Sequence, residues 1–317
     1  IDAVGSNPNI KEFVNYHEQA CGLAAEAYGR FKKLGVCLVG AGPAATNLST
    51  AIMSSYCDSI PCLFITGQVG MFHNKKNKRV RQRGFQEVDV VKHMRPITKY
   101  AKLIENVDDL RYELEKSIHL AVSGRPGPVV LDIPFNIQVS KVEPEKLRSF
   151  KPEKKIINKK YDEKNFEYII KALNSSNKPI LLIGGGIRSY DKVDLTLSLF
   201  EKLNLPIATT WAATDILYFN HNLNLGSAGR GGNRSAIYAI QESDLIISLG
   251  CRFTTKVVIN EKEFAKNAKI IAVDIDQGEL EDGLIKIHKK INRDLKEFIP
   301  KFHDYFEKKS LKKIKLK

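Results

Sequence analysis

Short, unbroken apolar runs separated by helix-length stretches constrain this chain more than any other feature. Val36-Cys37-Leu38-Val39, Cys62-Leu63-Phe64-Ile65 and Val129-Val130-Leu131-Asp132-Ile133 are apolar at nearly every position. That is the pattern of strands buried on both faces, as in a parallel sheet covered by helices. Helical spacing lies between them: Ala20, Leu23, Ala24, Ala27 and Phe31 mark one face of a first helix. Gly35 is expected to end it. Gly40-Ala41-Gly42-Pro43 reads as a turn, with Pro43 suited to the first position of a helix running to about Tyr56. A further helix is expected over 107–122. Beyond a polar, Lys- and Pro-containing stretch the alternation restarts, with a helix near 163–174 and strands at 179–183, 207–209, 245–249 and 270–274. Gly184-Gly185-Gly186 directly follows the first of these. The expectation is an α/β fold of two domains, each a mostly parallel sheet with helices on both faces. The boundaries read as 1–140 for the first domain, 141–162 for a linker, 163–305 for the second domain and 306–317 for a basic tail. A length of 317 residues suits two domains of about 150 residues each.

The net charge of +14 would suggest a nucleic-acid partner until it is located. Residues 73–83 (HNKKNKRVRQR) and 308–317 (KKSLKKIKLK) hold six Lys/Arg each and no acid, which is 12 of the 14 charges. The rest is nearly neutral, so the charge reads as a solvated loop and tail, and no nucleic-acid partner is expected. No apolar run approaches the roughly 20 residues of a membrane span, and no membrane association is expected. Cys21, Cys37, Cys57, Cys62 and Cys251 form no C-x-x-C pair and mostly sit in apolar stretches. Reduced thiols in a cytoplasmic protein are expected, with no metal site.

Two segments carry chemistry. Gly40-Ala41-Gly42-Pro43-Ala44-Ala45 fits G-x-G-x-x-A between a strand and a helix, a plausible anion or dinucleotide site. A dinucleotide fold also places an acid at the end of the next strand, but that strand runs into Thr66-Gly67-Gln68. Tyr16-His17-Glu18-Gln19 heads the first helix, where an acid complements the macrodipole whether or not it does anything else.

Taken together, the segments resemble the pyrimidine-binding domain of acetolactate synthases, which are thiamine-diphosphate-dependent enzymes. The resemblance rests on ordered agreement through His17-Glu18-Gln19-Ala20, Ala24-Ala25-Glu26-Ala27-Tyr28-Gly29-Arg30, Gly42-Pro43-Ala44-Ala45-Thr46-Asn47-Leu48, Ile65-Thr66-Gly67-Gln68-Val69, Phe85-Gln86-Glu87-Val88-Asp89 and Gly124-Arg125-Pro126-Gly127-Pro128-Val129. It continues through Gly184-Gly185-Gly186, Ala239-Ile240-Gln241-Glu242-Ser243-Asp244-Leu245, Gly250-Cys251-Arg252-Phe253 and Asn267-Ala268-Lys269-Ile270-Ile271, to about residue 300.

The resemblance implies a transferase/lyase that decarboxylates a 2-keto acid such as pyruvate and joins the acyl equivalent to a second carbonyl compound. It gives Glu18 the catalytic contact with N1′ of the cofactor's aminopyrimidine, and places Pro43, Asn47 and Gln86 around the same pocket. It makes Arg125 of the first domain and Gly184, Gly185, Gly186, Thr209, Gly229, Arg252, Asp274 and Ile275 of the second candidate contacts to a non-redox FAD. It further implies Mg²⁺, held in a third domain, and a homodimer or homotetramer.

Departures from the family pattern are as informative. No Gly-Asp-Gly followed by a distant Asn occurs, so the Mg²⁺- and diphosphate-binding domain is expected to be absent, and the segment before Glu18 to be truncated. Phe135 stands where the family usually carries Lys, Thr254-Thr255 where it carries two acids, and loop 70–84 is longer and more basic. These point to a related enzyme with another acceptor, such as an activated sugar. A non-catalytic nucleotide-binding subunit is the remaining alternative, against which Glu18 stands.

Overall fold

The computed structural model describes residues 2–76, 78–153, 159–190 and 192–308. The chain divides into two compact units, 1–155 and 156–317, each considered by itself. Parts of the expected linker (154–158) and basic tail (309–317), and Asn77 of the basic loop, lie outside the described residues.

The first unit is built on β1 (Gly35–Val39), β2 (Cys62–Gln68), β3 (Tyr100–Leu103) and β4 (Pro128–Pro134). They lie in the order β1-β2-β4-β3 with every neighbouring pair parallel. The helices that matter are α1 (Glu18–Lys32), α2 (Pro43–Asn47), α3 (Ser49–Asp58) and α4 (Leu110–Val122). Phe64 and Val130 pack on one face with Ala25, Leu48, Ala51 and Ile52 from α1 to α3. Leu63, Val129 and Leu131 pack on the other with Ala121 of α4. Side chains alternate between faces along a strand. In β2 and β4 the runs are apolar at successive positions because both faces are covered, whereas edge strand β1 leaves Val36 exposed.

Two local expectations need correction. Gly35 does not end α1; Lys33 does, in the left-handed conformation at φ 73°, and Gly35 opens β1. The glycine is needed because a Cβ there would lie 1.8 Å from the Ala25 carbonyl oxygen. The helix expected from Pro43 to about Tyr56 is two helices, α2 and α3, that meet at Leu48.

The second unit carries β5 (Pro179–Ile183), β6 (Ile207–Thr209), β7 (Asn224–Ser227), β8 (Leu245–Leu249), β9 (Lys269–Asp274) and β10 (Lys289–Asn292). Their order is β10-β9-β8-β5-β6-β7, again parallel throughout. Helices α5 (Lys159–Ser175), α6 (Val193–Leu203) and α8 (Leu295–Lys308) supply Phe166, Leu199 and Phe298 to one face of the sheet. Between α6 and α8 in sequence, α7 (Arg234–Glu242) supplies Ala236 and Ile240 to the other. The helix α5 starts inside the expected linker. Its Asp162 is buried and paired with Arg293 Nε at 2.6 Å and Lys301 Nζ at 3.0 Å. The start of the expected tail is likewise helical, with Phe306 of α8 buried. No helix among the described residues is long and apolar enough to cross a membrane.

Candidate functional site

In the first unit, α1 runs straight into β1 and packs back along it, so the helix N-terminus lies at the carboxyl end of the strand. That is the end where ligands bind in parallel α/β sheets. His17 caps α1, its Nδ1 accepting from the Gln19 N–H at 3.1 Å. Glu18 follows as the first helical residue. Its Oε2 accepts from Asn47 Nδ2 at 3.0 Å, across 29 residues of sequence, which ties α1 to α2. The bond to Asn47 is the main reason the Glu18 carboxyl is held below its usual range; its own backbone N–H adds to this, while partial desolvation works the other way. The competition between helix terminus and burial, open from the sequence, is decided in favour of the carboxylate.

Pro43 occupies the first turn of α2, one turn before Asn47. Gly42 precedes it at φ 60°, and a Cβ there would lie 2.3 Å from the Gln86 carbonyl oxygen. Gln86 therefore sits against the Gly42–Pro43 turn, itself in the left-handed region at φ 58°. The structure thus links Glu18 with Asn47, and Gln86 with the turn that opens α2 at Pro43.

Three residues that sequence reasoning did not single out hold this arrangement. The buried Glu87 carboxylate accepts the backbone N–H groups of Lys75 at 2.7 Å, Arg83 at 2.9 Å and Gly84 at 3.2 Å. Burial raises its pKa, but those N–H groups outweigh the effect and keep it below the usual carboxylate range. Gln68, the last residue of β2, donates through Nε2 to the Val88 carbonyl and to Asp132 Oδ2, each at 2.8 Å. Asp132 on β4 also accepts from Thr66 Oγ1 at 2.7 Å. Burial pushes its carboxyl up to about 6 despite these two donors, and Asp89 adds to the rise. The signal was present: Asp132 is the one charge inside an apolar strand. Among the described residues no group of three or more His, Cys, Asp and Glu is placed to hold a metal ion. Cys21 and Cys37 meet as free thiols, Sγ to Sγ at 3.3 Å, and burial raises the Cys62 thiol to about 11.

In the second unit the chain runs from β5 to β6 and β7 on one side, then returns to β8, β9 and β10 on the other. The switch point lies between β5 and β8, where parallel sheets open a crevice at the carboxyl ends. Gly184 and Gly250 follow those two strands. Thr209 ends β6 and Asp274 ends β9, with Ile275 next and Arg252 just beyond Gly250.

The glycines have a packing reason of their own. A Cβ on Gly184 would lie 2.1 Å from the Gly250 carbonyl oxygen, and one on Gly186 would lie 2.9 Å from Gly250 Cα. A Cβ on Gly229 would lie 2.0 Å from the Lys256 carbonyl oxygen, and one on Gly185 2.9 Å from the Ala212 methyl. Thr209 is buried, its hydroxyl 3.5 Å from the Gly226 carbonyl. Asp274 Oδ1 accepts from the Asp276 N–H at 2.9 Å, and the Ile275 carbonyl accepts from Asn292 Nδ2 at 2.9 Å. Arg125 belongs to the first unit, where its Nε donates to Ser59 Oγ at 2.9 Å.

Both units are similar to known proteins. Residues 1–93 match the thiamine pyrophosphate enzyme N-terminal TPP binding domain, and residues 166–302 the thiamine pyrophosphate enzyme central domain. The acetolactate synthase large subunit of Lactococcus lactis subsp. lactis is 36% identical over 296 residues, 93% of this chain and 50% of that protein. The acetolactate synthase isozyme 1 large subunit of Escherichia coli is 36% identical over 90% of this chain and 49% of its own length. A probable acetolactate synthase large subunit of Methanocaldococcus jannaschii is 34% identical over 86% of this chain and 46% of its own. The chain spans about half the length of the curated relatives it matches.

Proposed function

This chain belongs to the thiamine pyrophosphate enzymes, and on that premise we propose that it forms the pyrimidine-binding and central units of an acetolactate synthase-like carboligase acting on 2-keto acids. When bound, thiamine diphosphate supplies the carbon nucleophile and the electron sink for decarboxylation and acyl transfer. The residues of this chain orient it and set its protonation. Glu18 keeps an ionised oxygen at a helix head, suited to hold a proton at N1′ of the pyrimidine. Asn47 aims and ionises that carboxylate. Pro43 and Gln86 meet at the Gly42 turn and would flank the ring.

The Glu18–Asn47 bond is the observation that carries the reading. A structural helix-start acid needs no partner on a second helix, and a subunit without chemistry needs no carboxylate held ionised there. In the complete enzyme, Glu18→Gln should lower kcat on pyruvate by about 10²–10⁴-fold, the usual range for a proton-transfer partner. Circular dichroism should be unchanged. Undiminished turnover would remove the assignment.

The remaining features follow from the same reading. Mg²⁺ and the diphosphate would be held by residues outside these two units, and a homodimer or homotetramer would bring the parts together. FAD in the central unit is supported by the position of the β5–β8 switch point, not by the glycines, whose shape protein contacts already account for. A cytoplasmic setting is supported by five free cysteines. One observation favours an acceptor other than a second keto acid. Phe135 is 62% exposed at the carboxyl end of β4, where the resemblance would place a Lys.

A further inference from the structure

The loop between Gly70 and Gln86 supplies none of the side chains assigned to the pyrimidine. Within 75–83 it carries Lys75, Lys76, Lys78, Arg79, Arg81 and Arg83 and no acid. A solvated run of like charges extends and repels itself. This one is folded. Three of its backbone N–H groups converge on the buried Glu87 carboxylate. Lys75 Nζ donates to the Arg81 carbonyl at 2.9 Å, and Gln82 turns inward to the Glu87 carbonyl at 3.0 Å. Met71 N–H is held by Asn136 Oδ1 at 2.9 Å. Lys78, Arg79, Arg81 and Arg83 are exposed. None of the ion pairs among the described residues involves them.

Position adds to charge. Arg83 and Gly84 are fixed on Glu87, and Gln86, three residues after Arg83, rests on the Gly42 turn. The Val88 carbonyl is tied to β2 by Gln68. The carboxyl-side end of the loop is therefore anchored beside the turn that leads into α2. Arg79, Arg81 and Arg83 stand exposed at alternate positions of one short loop and outside every ion pair among the described residues, a local excess of positive charge over the single carboxylate of Glu87 that a polyanion would relieve. Guanidinium groups suit phosphate oxygens because they donate two parallel N–H groups.

We propose that this loop is an anion site that takes a phosphate or diphosphate group carried by the acceptor substrate, with Arg79, Arg81 and Arg83 as its ligands and Lys78 as a supporting cation. The proposal rests on the carboligase reading for the word acceptor. The binding itself is tested without turnover.

Inorganic pyrophosphate and inorganic phosphate are titrated into the full chain by calorimetry. The same titrations are run on Arg79→Ala/Arg81→Ala/Arg83→Ala, the corresponding Lys triple variant, Glu87→Gln and Glu18→Gln. Saturable one-to-one binding is expected, tighter for pyrophosphate if the acceptor carries a diphosphate and equal for the two if it carries a single phosphate. The Ala triple should weaken it tenfold or more, and the Lys triple several-fold. Glu87→Gln removes a negative charge, so attraction by charge alone would tighten binding. Loss of the loop's geometry should instead weaken it several-fold. Glu18→Gln should bind as the parent does. Equal binding by the parent and the Lys triple, or tighter binding by Glu87→Gln, would mean an adventitious ion only and overturn the proposal. So would no binding at all, or loss of binding in Glu18→Gln, which would put the anion in the cofactor pocket. Turnover lost in Glu18→Gln with pyrophosphate binding unchanged separates this site from the carboligase reading, and either can fail alone.

Discussion

The two units share one architecture and use the carboxyl end of the sheet differently. In the first, Gly42 lies against the backbone of Gln86, a Cβ there falling 2.3 Å from the Gln86 carbonyl oxygen, and this contact stands beside a side-chain bond, Asn47 to Glu18. In the second, close approach is backbone on backbone, with Gly184 and Gly186 against Gly250. A glycine pair after a parallel strand thus has two meanings that a sequence does not separate. It can clear space for a functional group, or it can let two strand-to-loop junctions pass each other. The first unit does both, with Gly42 beside a site residue and Gly35 against the Ala25 carbonyl, while Gly184 and Gly186 of the second serve its own core.

Substituting the glycines tests that contrast with the largest effect. Gly184→Ala puts a methyl between two backbone segments, 2.1 Å from the Gly250 carbonyl oxygen and 2.3 Å from Cys251 Cα, with no flexible side chain to yield. It should destabilise the second unit by about 3 kcal/mol or more, at or above the upper end of overpacking costs. Gly40→Ala meets only the Ala44 methyl at 3.7 Å, an ordinary contact, and should be nearly neutral. Urea midpoints at constant slope measure both. A neutral Gly184→Ala would show that the junctions are not in contact and would reopen the second glycine run as a ligand cradle.

The units also differ in how they bury an aspartate. Asp162 faces two cations, Arg293 and Lys301. Asp132 has only the neutral donors Gln68 and Thr66, and burial raises its pKa from 3.8 to about 6. The native state therefore binds the Asp132 proton more tightly than the unfolded chain does. Stability falls as pH rises through that window, by about 2 to 3 kcal/mol for a shift of this size. Asp132→Asn should abolish the fall. Its amide oxygen can still accept from Gln68, and the Thr66 hydroxyl can rotate to accept from its nitrogen. Denaturation at about pH 4 and about pH 7 should show the variant gaining on the parent as pH rises. Parallel profiles would mean that Asp132 stays ionised throughout, like a paired acid.

How much of this was legible follows the same division. Strands 62–65, 129–133, 179–183, 245–249 and 270–274 were readable because both faces are covered, which leaves an unbroken apolar run; 36–39 was readable from its apolar residues although β1 is an edge strand with Val36 exposed. Strands β3, β7 and β10 were not: Tyr-Ala-Lys-Leu, Asn-Leu-Gly-Ser and Lys-Lys-Ile-Asn lie at sheet edges or their ends. Their conformation comes from pairing with a neighbour, and half-exposed positions tolerate polar residues. In the site, Glu18, Asn47, Pro43 and Gln86 were read from the order of motifs. What Glu18 touches required the meeting of α1 with α2. Glu87 escaped notice because an acid one residue after Gln86 reads as surface, while its role is to collect three backbone N–H groups from a loop of twelve residues' reach.

The smallest expected effect is also the most direct on the first unit's side-chain logic. Asn47 is the leading cause of the lowered Glu18 carboxyl, ahead of the helix-head N–H of Glu18 itself. Asn47→Ala removes the bond and leaves α1, its His17 cap and the Glu18 backbone in place. The Glu18 pKa should then rise toward its ordinary value, read by carboxyl carbon shifts in a titration compared with Glu18→Gln to assign the signal. A depressed pKa means that the carboxylate contributes to stability above the unfolded value and loses that contribution as pH falls through the folded one. The variant should accordingly lose a little stability near neutral pH and nothing in acid. In the complete enzyme the acidic limb of the kcat profile should move to higher pH, because the ionised fraction of Glu18 falls off sooner. An unmoved Glu18 titration would show that the helix head alone holds the charge. Asn47 would then be an ordinary polar residue of α2, and the first unit, like the second, would owe its geometry to backbone alone.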